Sequence, residues 1–96
     1  MEIIKKEEAG KIVLSLIGKL DTTTAPNLEK VINEISKDEE LVLDFKDLSY
    51  VSSAGLRVLL IIAKKFDDKH KLINVCEDVM DVFEITGFDE VLNIER

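Results

Sequence analysis

Apolar residues form short blocks along the chain, and residues typical of turns separate them. The first block includes Ile3 and Ile4, and the second, KIVLSLIG, runs from Lys11 to Gly18. Gly10 lies between the two blocks, and glycine favours the tight turns that join neighbouring strands. The second block is rich in β-branched residues, which is typical of a strand. The pattern therefore predicts that the two blocks form an antiparallel hairpin.

Three later segments have helical patterns. The first, DTTTAPNLEKVINEIS (21–36), opens with hydroxyl side chains and a proline, and its apolar residues then recur at i, i+3, i+4 and i+7. The second is SSAGLRVLLIIAKKFDDK (52–69), and the third is EDVMDVFEITG (77–87), which Gly87 ends. The remaining apolar blocks predict strands at ELVLDF (40–45), KLINVC (71–76) and VLNI (91–94).

This order, β-β-α-β-α-β-α-β, predicts an α/β fold. Strands that helices separate are joined by crossover connections, which give a parallel centre to the sheet. With the opening hairpin, the result is a small mixed β-sheet with helices packed mainly on one side and its other face partly bare. The 96 residues suit a single domain, 1–96, with one core.

Composition excludes several classes of function. A formal net charge of −7, from 20 acidic against 13 basic residues, disfavours nucleic acids and anionic membrane surfaces as partners. The longest apolar run, VLLIIA (58–63), is far shorter than the roughly 20 residues of a membrane span, and the first residues lack a signal peptide's apolar region. We therefore expect a soluble, cytoplasmic protein. One cysteine and one histidine cannot supply an internal disulfide or a Cys/His zinc site, and no metal or cofactor is expected.

Two serines stand where the second helix begins, in DLSYVSSAGLRVLL (47–60). In one interpretation, Ser52 is the helix N-cap, which stabilises the helix by about 1 kcal/mol and implies no function. In the other, the helix start holds an anion such as a phosphoserine, with about −1.5 to −2 units of charge. Small residues at Ala54 and Gly55 would let the active site of another protein approach. The two interpretations are compatible, since a capped helix start can also be modified.

The second helix is apolar over more than half of its circumference. The residues that we expect on its core-facing stripe are Leu56, Leu59, Leu60, Ala63 and Phe66. We expect Val58 and Ile61 to stay partly exposed as a patch for a partner.

GKLDTTTAPNLEK (18–30) and LVLDFKDLSYVSSAGLRVLL (41–60) resemble two motifs of the STAS domain, and specifically of the stand-alone bacterial anti-sigma factor antagonists. The resemblance extends from about Ile3 to Ile94. It implies that the unphosphorylated protein binds an anti-sigma factor that is also an ATP-dependent serine kinase, which frees a sigma factor. It further implies that the kinase phosphorylates a serine at the start of the second helix and so dissociates the complex, and that a metal-dependent serine phosphatase restores binding.

Carried over by position, the resemblance places the phosphorylation site at Ser53, with Ser52 as the secondary candidate. The acidic residue that the family has before its first helix corresponds to Asp21. Many members have Asp where this chain has Ser52, Ser or Thr where it has Ala54, and glycine where it has Arg57. The partner-binding surface that we expect comprises Asp21, Thr22, Thr23, Ser52, Ser53, Ala54, Gly55, Leu56, Arg57, Val58 and Ile61.

Two other classes of function compete with this one. The missing acid before Ser53 keeps open a STAS module that is never phosphorylated and instead serves as a scaffold or senses a small ligand. An enzyme is disfavoured because the chain contains no G-x-S-x-G, P-loop or G-x-G-x-x-G motif. His70 lies among charged residues, which predicts a surface histidine, and Cys76 is predicted to be a small buried side chain.

Overall fold

The computed structural model describes residues 1–95. The strands are β1 (Glu2–Glu8), β2 (Lys11–Leu20), β3 (Glu40–Val51) and β4 (His70–Ile73). The helices are α1 (Ala25–Asn33), α2 (Ser53–Phe66) and α3 (Glu77–Thr86), with short 3₁₀ turns at Asp67–Lys69 and Phe88–Glu90. None of these helices is both long and apolar enough to cross a membrane.

Within residues 1–95, the four strands form one mixed sheet in the order β1-β2-β3-β4. β1 pairs antiparallel with β2, which confirms the predicted hairpin. β2, β3 and β4 run parallel to one another, and a helix connects each pair. The predicted α/β fold with a parallel centre is therefore confirmed.

Alternate residues along the central strands face different surroundings. Leu14 of β2 and Leu43 of β3 are register partners and are fully buried, whereas their neighbours Val13 and Val42 are half-buried. Phe45, also on the buried face, meets Phe83 of α3 with 6.4 Å between the ring centroids. Helices thus cover one face and leave the other partly bare, as the pattern predicts.

The strand predicted at VLNI (91–94) is wrong. The N–H groups of Val91 and Leu92 donate to the carbonyl of Phe88 and so extend a helical turn. A single parallel bridge, Leu72 to Ile94, remains at the edge of β4. The strand predicted over 71–76 is also shorter, because Asn74 has a positive φ of 57° that ends the extended backbone at Ile73.

Candidate functional site

The loops that follow β2 and β3 leave the sheet at the same end, where both strands finish. Leu20 and Val51, the last residues of these strands, are register partners. The N–H of Ser52 donates to the carbonyl of Leu20 at 2.9 Å, which fixes the start of α2 against the end of β2. The two segments that the sequence singled out, at Asp21 and at Ser52, therefore begin side by side.

Ser52 is the N-cap of α2, as one of the two interpretations predicted. Its backbone is extended, with φ −90° and ψ 175°, and its Oγ accepts a hydrogen bond of 3.3 Å from the N–H of Gly55. Its carbonyl accepts from the N–H of Leu56 and begins the helical ladder. Ser52 is half-buried, and its oxygen is occupied by the helix that it begins.

Ser53 is the first residue of α2, and its surroundings differ from those of Ser52. The side chain is exposed, and its hydroxyl makes no hydrogen bond with any residue from 1 to 95. The first turn of α2 contains no acidic residue. The hydroxyl therefore lies at the positive end of the helix dipole with no neighbouring negative charge in that turn.

Gly55 is small for an internal reason, and, against the expectation of a partner-binding residue, it is buried within the protein. A Cβ at this position would lie 2.8 Å from Cγ and 2.9 Å from the carbonyl oxygen of Leu20. Only glycine lets α2 pack this closely on the end of β2. Ala54 is half-buried and remains within reach of a partner.

Asp21 organises the loop between β2 and α1. Its Oδ1 accepts hydrogen bonds from the N–H and hydroxyl of Thr23, at 3.0 and 2.8 Å, and from the N–H of Thr24 at 3.2 Å. In return, the N–H of Asp21 donates to Oγ1 of Thr24 at 2.8 Å. The Thr23 hydroxyl, more than any other contact, lowers the pKa of Asp21 below its ordinary value of 3.8, against a smaller effect of burial. The carboxylate is thus a loop-forming anion, while Thr22 and Thr23 are exposed.

Helix α2 turns a different side to solvent from the one that the sequence predicted. Val58 is only 1% exposed, so its expected role in a partner-binding patch is wrong, and Leu56 is buried as well at 8%. Leu60, expected in the core, is half-buried, as is Ile61. Because Gly55 packs closely on Leu20, the side of α2 that contains Gly55, Leu59 and Ile62 faces the sheet. This orientation turns Val58 towards the core and Leu60 towards solvent.

The outward side of α2 and the adjoining loops form a continuous candidate surface, which we call the Ser53 surface. Its exposed or half-buried members are Asp21, Thr22, Thr23, Ser52, Ser53, Ala54, Arg57, Leu60 and Ile61. Arg57 is exposed one turn after Ser53 and has no ion pair or side-chain hydrogen bond within the described residues. The residues on this side combine apolar atoms, hydroxyls and a cation, which suits a protein partner.

Sequence reasoning missed two residues at this end of the molecule. Leu60 follows Ser53 by seven positions, a spacing that places both on one side of a helix and could have indicated its outward position. Tyr50 of β3 is the register partner of Lys19 of β2 and lies two residues before Ser52, at the same end of the sheet. Its side chain is 48% exposed. An aromatic residue beside a functional loop is a common anchor in protein interfaces.

Two open depressions, of about 460 and 440 Å³, lie near Asn93 and near His70, and no residue of the Ser53 surface lines either of them. No group of side chains within residues 1–95 has the composition of a metal site. The Ser53 surface can present an exposed hydroxyl to another protein.

A model of the STAS domain matches residues 2–96. The chain is 36% identical over 93 residues to BtrV of Bordetella bronchiseptica, a candidate anti-sigma factor antagonist, with 92% of this chain and 80% of BtrV covered. It is 31% identical over 93 residues to the anti-sigma-B factor antagonist of Bacillus subtilis, with 93% and 85% covered.

Similarity to solved structures extends over nearly the whole chain. The unphosphorylated form of the anti-sigma factor antagonist SpoIIAA matches with a TM-score of 0.80 at 18% identity, covering 99% of this chain and 89% of that one. The phosphorylated form of SpoIIAA from Bacillus matches with a TM-score of 0.71 at 16% identity, covering 99% and 92%. At these identities the likeness shows a shared fold.

Proposed function

The chain belongs to the STAS domain family, and from this premise we propose that it is a bacterial anti-sigma factor antagonist that phosphorylation of Ser53 switches off. Its unphosphorylated form binds an anti-sigma factor through the Ser53 surface and so frees a sigma factor in the cytoplasm. The anti-sigma factor is itself an ATP-dependent serine kinase that phosphorylates Ser53. A metal-dependent serine phosphatase removes the phosphate and restores binding.

The observation that carries this proposal is the hydroxyl of Ser53 at the first position of α2, which is exposed and has no partner among residues 1–95. A phosphate there would face the positive end of the helix dipole, so the fold can accept it without losing an existing hydrogen bond. Ser52 is the poorer acceptor, because its oxygen already holds the N–H of Gly55 and a phosphate would disrupt the cap.

The surroundings of Ser53 explain how a phosphate would stop binding. Ala54, Leu60 and Ile61 are half-buried apolar side chains that a docked partner would cover. A dianion among them would have to lose its water shell, and the partner would have to supply compensating charge. Arg57, one turn further along α2, is free to pair with the phosphate within its own helix and so hold it at the interface.

The relatives support the same role. BtrV is a candidate anti-sigma factor antagonist, the Bacillus subtilis protein is an anti-sigma-B factor antagonist, and SpoIIAA exists in a phosphorylated form. This chain covers 80% of BtrV and 85% of the Bacillus subtilis protein. We therefore propose a regulatory role, and not an enzymatic one, for the domain as a whole.

The experiment that tests the proposal is phosphorylation by the kinase-type anti-sigma factor encoded with this protein. We expect ATP and the kinase to add a phosphate-sized increment to the intact mass of the wild type and of Ser52→Ala, but not of Ser53→Ala. Because Ser52→Ala keeps the exposed serine, it is the matched control for loss of a neighbouring hydroxyl. Phosphate on Ser52 in the wild type would contradict the assignment.

A second function is favoured by one observation, the serine at position 52 where many family members have an acid. A kinase that needs the acid would ignore this chain, and the Ser53 surface would then serve as a constitutive scaffold or sense a small ligand. No mass increase with the co-encoded kinase, together with tight binding that ATP does not reverse, would establish the scaffold.

A further inference from the structure

The histidine predicted to lie on the surface is buried. His70, the first residue of β4, is 3% exposed and is the one buried polar side chain among residues 1–95. Its Nδ1 lies within hydrogen-bond distance of the carbonyl of Asp67, and its Nε2 accepts a hydrogen bond of 3.2 Å from the N–H of Asn93. A ring nitrogen that accepts carries no proton, so this arrangement requires the neutral ring with its hydrogen on Nδ1.

The segment that His70 holds lies along the outer edge of β4. The N–H of Leu72 donates to the carbonyl of Asn93 at 2.8 Å, and the N–H of Glu95 donates to the carbonyl of Leu72 at 2.9 Å. The Nδ2 of Asn93 donates to the carbonyls of Asp67 and His70 at 3.2 and 3.1 Å. Asn93 and Glu95 are exposed, and between them Ile94 is half-buried against the core. Hydrogen bonds and one apolar side chain therefore hold this segment in place.

Several charges surround the ring. Burial lowers the pKa of His70 below its ordinary value of 6.5, while the hydrogen bond to Asp67 and the charge of that residue act in the opposite direction. Five other charged residues line the depression beside His70: Lys11 of β2, Glu40 of β3, Asp68 and Lys69 of the 3₁₀ turn, and Lys71 of β4. From the C-terminal segment, Glu95 forms an exposed ion pair with Lys71 at 3.3 Å.

We propose that His70 is a pH-sensitive latch that fastens residues 93–95 to the edge of β4. When Nε2 takes up a proton, it becomes a donor that faces the N–H of Asn93, and the hydrogen bond between them is replaced by repulsion. The segment then separates from β4. Its departure leaves the N–H and C=O of Leu72 without these hydrogen-bond partners at the outer edge of the sheet.

The test is an NMR titration of the whole chain between pH 7.5 and 5. We expect the protection factors of the Leu72 and Glu95 amides, corrected for intrinsic exchange, to fall about tenfold or more in step with protonation of the His70 ring. The amide of Leu56 in α2, which donates to Ser52, should keep its protection. A His70 ring that titrates while the Leu72 and Glu95 amides keep their protection would overturn the latch, as would loss of all three amides together.

Two variants separate the latch from other effects of acid. His70→Gln keeps an acceptor near the position of Nε2 and cannot be protonated, so its Leu72 and Glu95 amides should not respond to pH. Glu95→Gln removes the carboxylate of the ion pair with Lys71, and the response should persist in it. A response that survives in His70→Gln or disappears in Glu95→Gln would contradict the proposal. If His70→Gln does not fold, the wild-type titration still decides between the two outcomes.

Discussion

Ser52 and Ser53 have the same side chain, and only their positions at the start of α2 differ. Ser52 adopts the extended backbone of an N-cap and accepts from Gly55, whereas Ser53 is the first helical residue and points to solvent. Ser52 therefore caps the helix, and the proposed phosphorylation falls on its neighbour Ser53. A phosphate on Ser53 would therefore add negative charge at the helix start, while the cap made by Ser52 stays intact.

Ser52→Ala tests the cap. The substitution removes the acceptor for the N–H of Gly55, and we expect the free energy of unfolding, from urea titration, to fall by about 1 kcal/mol. Ser53→Ala is the matched control, since it removes a hydroxyl that has no partner within residues 1–95, and it should change stability by less than about 0.5 kcal/mol. An equal fall in the free energy of unfolding in the two variants would show that the Ser52 cap does not stabilise α2.

At the scale of elements, α2 is placed by its contact with the end of β2. The absence of a side chain at Gly55 lets the first turn of α2 lie against Leu20, and Ser52 donates to the carbonyl of the same residue. The loop that Asp21 organises begins at the next residue. A change at this contact therefore moves the two parts of the Ser53 surface relative to each other.

Gly55→Ala tests this contact. The new Cβ would lie 2.8 Å from Cγ and 2.9 Å from the carbonyl oxygen of Leu20, and the backbone oxygen cannot move aside alone. We expect the free energy of unfolding to fall by about 1–3 kcal/mol, and binding of the anti-sigma factor to weaken. Arg57→Ala, on the outward side of the same helix, should leave stability nearly unchanged. A Gly55→Ala protein as stable as the wild type would refute the close packing.

The sequence predicted the helices and strands better than it predicted which of their side chains are buried. Helical spacing in 21–36 and the block at Lys11–Gly18 predicted α1 and β2, because local pattern and tertiary packing agree there. Val58 and His70 were placed wrongly because their burial depends on distant residues: Gly55 on Leu20 turns α2, and Asn93 covers the ring of His70. The motif around Ser53 was found from resemblance, and its cap geometry from the helix start signals.

At the scale of the whole molecule, the core and the candidate functional surface occupy different parts of the fold. Leu14, Leu43 and Phe45 of the sheet are buried beneath the helices, which makes one core, and the Ser53 surface lies where β2 and β3 end. The core does not depend on the state of Ser53. A phosphate on this residue should therefore change binding while the fold stays the same.

The most direct test of the proposed switch is the affinity for the co-encoded anti-sigma factor, measured by calorimetry with the wild type, Ser53→Ala and Ser53→Asp. All three proteins should fold alike by circular dichroism. We expect Ser53→Ala to bind as tightly as the unphosphorylated wild type, and we expect the Kd of Ser53→Asp to rise by about tenfold or more, because a charge enters an interface with apolar side chains. Equal affinity of Ser53→Ala and Ser53→Asp would contradict the account.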